Sequence, residues 1–450
     1  MKDFTLAEIA KACNGEYVGD ESLKNTKITS VERDSRQVKN GSLFLAIKGE
    51  RVDGHDFIEK CFSQGAVCAL CEKAPENATK PCIVVPSTLD AVKKIGRAYR
   101  EKFDIPVIGI SGSVGKTSTK EMLYAVLSQK FKTHKTQGNL NNELGVPLTL
   151  LSMPEDTEAA VIEMGISDFG EMTRLSEMVQ PTICVLTIIG ECHLENLGDR
   201  DGVLKAKTEM FKNARENADF ILNGDDDKLS TVKTVNGKKP VFFGLDAKND
   251  FYAKNIKNSG EGKVLATLCF DNNNIDVEIP AIGTYMVTNA LAAAAAGKLL
   301  GLTDEEIANG VASYKTVGSR ANVINTGKIK IIDDCYNANP TSVRASLDTL
   351  SNLDGRKVAI LGDMKELGSE ELKLHFDTGV YAKSKDIGTV ITVGELAKEL
   401  AKGADGKAFD TIEDAKPEIL KTIKSGDVVL VKASHSMQFE NIVEFLKQNF

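Results

Sequence analysis

The amino-acid sequence predicts an α/β protein of three domains. Its 450 residues exceed the length at which a single hydrophobic core usually stops growing, so two or three cores are expected. From Pro106 onward, short apolar runs alternate with turns and helical patterns, which is typical of a parallel sheet with crossover helices. A break near residues 317–320 is followed by a second alternation of this kind. We therefore predict domains at residues 1–103, 104–316 and 317–450.

The first domain is predicted to mix short strands and helices. Its apolar segments are brief and separated by turn residues, and two helical patterns divide them. The predicted strands are 15–18, 43–47 and 82–85, and the predicted helices are 57–64 and 89–102.

The central domain is predicted to hold a parallel sheet whose strands are buried on both faces, because its apolar runs are continuous rather than alternating. The predicted strands are 107–110, 159–162, 183–189 and 220–222, and the predicted helices are 116–130, 201–216 and the alanine-rich 290–296. Ligands of such sheets bind at the carboxyl ends of the strands. Glu163 and His193 follow two of these strands and are therefore candidate site residues.

The third domain is predicted to be a smaller α/β unit. Strand and helix patterns alternate again after residue 320. The predicted strands are 329–332, 358–361, 390–393 and 428–431.

Charge and composition exclude several classes of function. The net charge is −8 and no basic block stands out, so binding to a nucleic-acid backbone is not expected. No uncharged apolar stretch reaches the roughly 18 residues that a membrane span needs, and the first residues do not resemble a signal peptide. The nine cysteines are an odd, scattered set, which favours reduced thiols in the cytoplasm.

A glycine-rich loop at residues 109–117, Gly-Ile-Ser-Gly-Ser-Val-Gly-Lys-Thr, lies between a predicted strand and a predicted helix. Its backbone amides and the helix amino end can hold phosphate oxygens, with Lys116 on the outer phosphates and Thr117 on Mg²⁺. The strict motif has a glycine where this chain has Ile110. The predicted ATP-binding residues here are Gly112, Ser113, Val114, Gly115, Lys116, Thr117 and Ser118. The loop alone leaves a kinase, a motor, a switch and a ligase open.

Three further residues point to a metal-assisted reaction. Glu163 ends its strand where a second Mg²⁺ ligand belongs, and His193 follows the next strand. Lys207 shares a helical face with Val203 and Met210, so it is expected in an apolar stripe, where burial lowers a lysine pKa and makes the amine reactive. A snorkelling lysine is the alternative.

Polar residues outside the central strands are candidates for substrate contacts. Asn139 and Asn142 lie in a loop beyond the first helix of the central domain, where turn chemistry is the alternative. Asp334 ends the first strand of the third domain and could bind a ribose, and Arg320 could reach a phosphate.

Motifs along nearly the whole chain resemble the Mur ligases of bacterial peptidoglycan synthesis, a pathway that supports cell shape and division. The matching segments are Asp-Ser-Arg at 34–36, Asp-Gly-His at 53–55, the phosphate loop, Glu-Met-Gly at 163–165, Ala-Lys at 206–207, Tyr-Asn-Ala-Asn-Pro at 336–340 and Gly-Asp-Met-Lys-Glu-Leu-Gly at 362–368. The last two strings are specific to one branch of the family. For the fold, the resemblance implies a domain for the substrate nucleotide, a P-loop ATPase-like domain and a Rossmann-like domain.

The resemblance also implies an activity and a set of roles. The implied enzyme is a monomeric ATP-dependent ligase that joins D-alanyl-D-alanine to UDP-N-acetylmuramoyl-tripeptide through an acyl phosphate. Lys116, His193 and Lys207 are the implied catalytic residues, with Lys207 carbamylated. The implied ligands of two Mg²⁺ ions are Thr117, Glu163, His193 and Lys207. The implied nucleotide contacts are Asn289, Asp334 and Arg320, and the implied substrate contacts are Ser35, Arg36, Asn139, Asn142, Asn337 and Asn339.

The chain departs from the family pattern in places, and rival activities remain. His435 stands where an arginine is usual, and residues 187–190 are Thr-Ile-Ile-Gly rather than Thr-Asn-Ile-Gly. The rivals are a sibling ligase that adds a single amino acid, a folate polyglutamate synthase, and a nucleotide-dependent switch. The third residue of the tripeptide, lysine or diaminopimelate, is left open.

Overall fold

The computed structural model describes residues 1–49, 51–259, 262–271 and 273–450. The first region carries a five-stranded sheet in the order β1-β5-β4-β3-β2, parallel except for β1. Its elements are α1 (Leu6–Cys13), β1 (Glu16–Val18), β2 (Ser30–Glu32), β3 (Ser42–Leu45), α2 (Ile58–Ser63), β4 (Cys68–Cys71), β5 (Cys82–Val84) and α3 (Thr88–Arg100). The predicted strands and helices of this region are present, but α1, β2 and β4 were not predicted.

Local chemistry defines the ends of the first region's helices. Thr5 and Glu8 form a capping box at the start of α1, which satisfies free backbone amides of the first turn. At the far end of α3, the buried Arg100 donates to the carbonyl oxygens of Phe103 and Val179, at 2.7 and 2.9 Å. Because Val179 belongs to the central region, Arg100 ties the two regions together.

The central region is a six-stranded parallel sheet in the order β11-β10-β9-β6-β8-β7. Its elements are β6 (Val107–Ser111), α4 (Lys116–Leu127), β7 (Thr133–Lys135), α5 (Gly145–Leu151), β8 (Ala159–Glu163), α6 (Glu171–Val179), β9 (Ile183–Leu186), α7 (Leu194–Leu197), α8 (Arg200–Thr208), β10 (Asp219–Asn223), β11 (Val241–Phe243), α9 (Tyr285–Leu299) and α10 (Asp304–Ala312). Alanines 290 and 292–296 of α9 are fully buried, as predicted for a helix that packs closely through small side chains.

Three predicted elements of the central region are shorter than expected. α4 ends at Leu127 rather than at residue 130. β9 ends at Leu186, because the Thr187 hydroxyl bonds the carbonyl of Val114 at 2.6 Å and the chain leaves the sheet there. α8 ends at Thr208, and residues 209–213 form a 3-10 turn. The Thr208 hydroxyl donates to the carbonyl oxygen of Leu204 at 2.8 Å, a local bond that weakens helical continuation.

A three-stranded antiparallel sheet packs beside the central sheet and was not predicted. It consists of β12 (Tyr252–Asn258), β13 (Val264–Phe270) and β14 (Asn273–Ile279) in that order. Buried side chains from this sheet share a core with α4 and α9, so it belongs to the central region.

The third region is a six-stranded sheet in the order β15-β16-β20-β17-β18-β19, parallel except for the edge strand β15. Its elements are β15 (Asn322–Asn325), β16 (Lys330–Asp333), α11 (Pro340–Ser351), β17 (Arg356–Gly362), α12 (Glu371–Ser384), β18 (Thr389–Val393), α13 (Ala397–Ala404), β19 (Lys407–Phe409), α14 (Ile412–Thr422), β20 (Asp427–Lys432) and α15 (Glu440–Asn449). The predicted three-domain α/β fold is confirmed. None of the helices in the described ranges is long and apolar enough to cross a membrane.

Candidate functional site

A cleft of about 780 Å³ lies at the carboxyl ends of β6, β8 and β9 and is closed on its far side by the third region. Most of the predicted site residues line it: Ser113, Val114, Gly115, Lys116, Thr117, Ser118, Asn142, Glu163, His193, Asn289, Arg320, Asp334, Asn337 and Asn339. The predicted residues that do not line it are Gly112, Lys207, Asn139, Ser35 and Arg36. The cleft therefore brings together residues from the central and third regions.

The phosphate loop needs glycine at two positions. Gly112 has φ +149°, and a Cβ there would lie 1.9 Å from the Thr187 hydroxyl oxygen. Gly115 has φ +85° and caps the start of α4. Residues that carry a side chain rarely adopt these backbone conformations. Glycine at both positions therefore lets the loop curl so that its amides can reach a phosphate. The unusual glycine spacing is thus compatible with a phosphate-binding loop.

Lys116 occupies the wall of the cleft. Its Nζ donates to the carbonyl oxygen of Gly112 at 2.8 Å, so the amine lies against the loop. Burial lowers the pKa of Lys116, and the nearby Glu163 carboxylate opposes that shift. A desolvated ammonium in this place interacts strongly with phosphate, because water screens the attraction poorly there.

The Glu163 carboxylate is held by several polar side chains of the site. Its two carboxylate oxygens accept from the Thr117 hydroxyl, at 3.1 and 3.0 Å, and Oε1 accepts from the Asn141 amide at 2.9 Å. The Nζ of Lys120 lies 3.6 Å from Oε2. Glu163 is only 1% exposed, so these contacts fix its side chain.

Thr117 and Glu163 fit a Mg²⁺ ion. Among the described residues, no three His, Cys, Asp or Glu side chains form a preformed metal site. Mg²⁺ does not require one, because it commonly uses one or two carboxylates and takes its other ligands from water and substrate phosphates. A hydroxyl and a carboxylate at the foot of a phosphate loop are such a set.

Lys207 is buried, as its helical pattern predicted. It is 1% exposed, and its amine has no hydrogen bond or ion pair with the described residues. Burial lowers the pKa of Lys207 to about 8. A larger share of the amine is therefore neutral near pH 7 than in an ordinary lysine, and a neutral amine can react with carbon dioxide to form a carbamate.

His193 lies at the edge of the cleft nearest the third region. Its Nδ1 is 2.6 Å from a carboxylate oxygen of Glu366, although the contact lies off the direction of the ring N–H bond. The side chain is 23% exposed. Position alone could not predict this partner, because Glu366 comes from another region.

The third region presents Asp334 and Arg320 to the cleft. Asp334 accepts from Lys432 and from the Ser346 hydroxyl, both at 2.6 Å, and Lys432 is 3% exposed. Arg320 stacks on the ring of Tyr336 at 3.6 Å, and that ring stacks on His435. From the central side, the Asn289 amide oxygen accepts from Thr119 at 2.9 Å.

Several predicted substrate contacts have local structural partners. The Asn142 side chain accepts from the amide of Gly145 at 2.8 Å, and the Asn339 side chain caps α11 through the amide of Ser342 at 2.8 Å. Asn139 is exposed on a turn. Asn339 is thus the N-cap of α11, whereas Asn142 supports the turn before α5. Both also line the cleft, and their contact with substrate stays a prediction.

Ser35 and Arg36 lie in the first region, outside the cleft lining. The Arg36 side chain is 84% exposed and pairs with Asp34 at 2.7 Å. The guanidinium of Arg36 lowers the pKa of Asp34 to about 2.

The structure adds site residues that the sequence prediction did not assign. Asn141 and Lys120 hold Glu163, Lys432 holds Asp334, and Tyr336 supports Arg320. In the sequence, Lys120 and Lys432 are only lysines close to the end of a strand or the start of a helix. Many exposed lysines occupy such positions, so this pattern did not identify the two as site residues.

Comparisons with known proteins agree with this arrangement. Three family models match: "Mur ligase family, catalytic domain" at residues 27–101, "Mur ligase middle domain" at 110–297, and "Mur ligase, glutamate ligase domain" at 319–435. A UDP-N-acetylmuramoyl-tripeptide–D-alanyl-D-alanine ligase from Bacillus subtilis is 37% identical, over 98% of each chain.

Solved structures of MurF ligases superpose on nearly the whole chain. MurF from Acinetobacter baumannii superposes with a TM-score of 0.92 at 32% identity, covering 100% of this chain and 99% of that one. The MurF ligase from Thermotoga maritima in complex with ADP has a TM-score of 0.84 at 30% identity, covering 93% of this chain and 97% of that one.

Proposed function

The chain belongs to the Mur ligase family, and we propose that it joins D-alanyl-D-alanine to UDP-N-acetylmuramoyl-tripeptide with ATP as the energy source. The relatives that match over its whole length carry this activity in their names. The structural observation that supports it is the cleft itself. A phosphate loop, the Thr117–Glu163 pair and third-region groups all face one space, which an ATP-dependent condensation requires.

The reaction follows from this arrangement in two steps. A carboxylate oxygen of the tripeptide attacks the γ-phosphorus of ATP, so an acyl phosphate forms and ADP leaves. The amine of D-alanyl-D-alanine then attacks the acyl carbon, loses a proton and expels inorganic phosphate. Both steps place negative charge on clustered oxygens, and fixed positive groups such as Lys116 stabilise that charge as it develops.

The ATP contacts are assigned by position in the cleft. We propose that the loop from Gly112 to Ser118, of which residues 113–118 line the cleft, holds the phosphates, and that Asn289 and Asp334 contact adenosine. Arg320 contacts the phosphates from the third region, held by its stack on Tyr336. These contacts come from two regions, so ATP is enclosed only when both are seated.

Mg²⁺ belongs to two sites in this proposal. Thr117 and Glu163 hold the first ion, and Glu163, His193 and a carbamylated Lys207 hold the second. The ions supply positive charge that neutralises the phosphate oxygens. The buried amine of Lys207, which has no hydrogen bond or ion pair with the described residues, supports the carbamate, because burial lowers its pKa to about 8 and so favours the neutral form that reacts with carbon dioxide.

The peptide substrates are assigned to the remaining polar groups. We propose that Ser35 and Arg36 hold the uridine diphosphate group in a domain of residues 1–103. Asn139, Asn142, Asn337 and Asn339 contact the peptide ends where the domains of residues 104–316 and 317–450 meet.

We further propose that the protein acts as a monomer in the cytoplasm. All nine cysteines are buried and free, which fits a reducing compartment.

The test measures ADP and phosphate release by the purified chain with each substrate omitted in turn. Release is expected only when ATP, the tripeptide substrate and D-alanyl-D-alanine are all present, and mass spectrometry should find the pentapeptide product. ADP and phosphate release at the same rate with and without D-alanyl-D-alanine would refute the proposal and favour a nucleotide-dependent switch. Product formation with a single amino acid instead would identify a sibling ligase. Lysine- and diaminopimelate-containing tripeptides, assayed side by side, identify the third residue.

A further inference from the structure

The third region contacts one short segment of the central region, residues 190–195, at several points. The Thr341 hydroxyl, in the first turn of α11, donates to the Glu191 carboxylate at 2.5 Å. The backbone at Gly368 packs so closely that a Cβ there would lie 3.2 Å from the Cα of Glu195. Between these two contacts lies the pair of His193 and Glu366, 2.6 Å apart. The segment that carries His193 is therefore shaped by the third region.

Both members of the pair have unusual backbone conformations. His193 has φ +52° and Glu366 has φ +65°, in the left-handed region that side chains other than glycine disfavour. Such strain persists where surrounding structure enforces it, and it is concentrated at functional sites. His193 directly precedes α7 and Glu366 follows β17, so two strained turns from different regions place an imidazole beside a carboxylate.

Stability does not explain the pair. The Glu366 side chain is 58% exposed, and ion pairs as exposed as this usually contribute little to the free energy of folding. His193 in contrast lines the cleft, and its Nδ1 is buried against Glu366. The contact is thus positioned to control how the ring faces the cleft.

We propose that Glu366 is a positioning residue for His193, through which the third domain completes the metal site of the central domain. The inference rests on the proposed function, because it takes His193 as a metal ligand. A carboxylate at one ring nitrogen of a metal-binding histidine keeps the proton on that nitrogen and leaves the lone pair of the other for the metal. Here the Glu366 carboxylate lies 2.6 Å from Nδ1 but off the direction of its N–H bond. A rotation of the ring would complete that hydrogen bond and leave Nε2 for the metal.

The consequence is a link between domain position and chemistry. Glu366 reaches His193 only when the third domain is seated on residues 190–195. ATP bound to the central domain alone therefore meets an incomplete metal site. Phosphoryl transfer is held back until the third domain, with its own contacts to the substrates, is in place.

The test measures Mn²⁺ binding to the full-length protein with a non-hydrolysable ATP analogue, by electron paramagnetic resonance of free Mn²⁺. In Glu366→Ala, Mn²⁺ affinity is expected to fall by about tenfold, the usual effect of losing an orienting partner. Glu366→Gln keeps a hydrogen-bond acceptor and should fall between the wild type and Glu366→Ala. The matched control is Glu370→Ala, which removes an exposed carboxylate paired only loosely with Lys373, at 3.8 Å.

Kinetics provide the second readout. The kcat of Glu366→Ala should fall while the KM for ATP and the thermal midpoint stay at the wild-type values. In a His193→Ala background, the Glu366 substitution should have no further effect on Mn²⁺ affinity. Wild-type Mn²⁺ affinity and kcat in Glu366→Ala would overturn the inference, as would an equal loss in Glu370→Ala. If Mn²⁺ affinity depends on Glu366 as expected but the wild-type protein forms no pentapeptide, the proposed function is refuted and the positioning role of Glu366 stands.

Discussion

The hydroxyl of Thr117 donates to both carboxylate oxygens of Glu163, at 3.1 and 3.0 Å, so the end of β8 is joined to the first turn of α4. This contact places a hard oxygen ligand from the phosphate loop beside a carboxylate from the neighbouring strand. Asn141 and Lys120 hold the same carboxylate from two other directions. The charge of Glu163, rather than its volume, is therefore the feature to test.

Glu163→Gln is expected to lower kcat by about 100-fold, the scale found when one charge-stabilising group of an active site is removed. The fold should survive, because glutamine has nearly the same volume and Lys120 keeps its contact with Glu121 at 3.2 Å. ADP release and thermal melting measure the two effects. Glu155→Gln, at an exposed position shortly before the same strand, is the control. Activity within a few-fold of wild type would exclude Glu163 as a metal ligand.

Lys207→Ala is expected to be nearly inactive, because the proposed carbamate is lost with the amine. Small carboxylates such as formate or acetate should restore part of the activity by occupying the space of that carbamate. Lys205→Ala is the matched control, since Lys205 lies on the same helix but is exposed. The assay is ADP release with and without added carboxylate. Full activity of Lys207→Ala without rescue would contradict the metal role.

Burial patterns made Lys207 predictable from the sequence. Val203, Lys207 and Met210 recur at helical spacing, and all three are buried in the structure. The parallel strands of the central and third domains were predictable for the same reason, because strands buried on both faces are continuous apolar runs. The N-cap role of Asn339 can also be predicted from the sequence, because asparagine followed by proline is a typical helix start.

Contacts between distant parts of the chain were not predictable in this way. The alternation of buried and exposed residues along β14 is a local strand signal, but its partner strand and its packing beside α4 and α9 are not encoded locally. Glu366 and His193 meet because two domains pack together, and no local pattern encodes that packing. The same holds for Lys432 at the end of β20, whose partner Asp334 directly follows β16, a different strand of the third-domain sheet.

Arg36→Ala is expected to raise the KM for the UDP-linked substrate by about tenfold, the effect of losing one charge-assisted hydrogen bond. The kcat and the KM for ATP should not change, because Arg36 lies outside the ATP cleft. Folding stability should change by less than about 0.5 kcal/mol, since the side chain is 84% exposed. Arg33→Ala, in the same turn and also exposed, is the control. An equal rise in KM for both variants would indicate a general charge effect.

His375 supports the loop that carries Glu366, and it makes stability depend on pH. Its Nε2 accepts from the amide of Met364 at 2.9 Å, and its Nδ1 contacts the carbonyl oxygen of Glu371 at 2.7 Å. The ring therefore carries its proton on Nδ1 and is neutral. Burial lowers the pKa of His375 below the ordinary value of 6.5.

The direction of the pH effect follows from that shift. Below about pH 6.5 the unfolded chain binds a proton at His375 that the folded chain resists, so the free energy of unfolding falls as the pH falls. One proton contributes at most about 1.4 kcal/mol per pH unit. His375→Gln keeps an acceptor for Met364 but cannot titrate, so its stability should fall less between pH 6.5 and 5.5. Urea unfolding of both proteins across this range measures the difference. Parallel curves for the two proteins would show that His375 is not the titrating group. The half-buried His134, whose pKa is also lowered by desolvation, would then be the next residue to substitute.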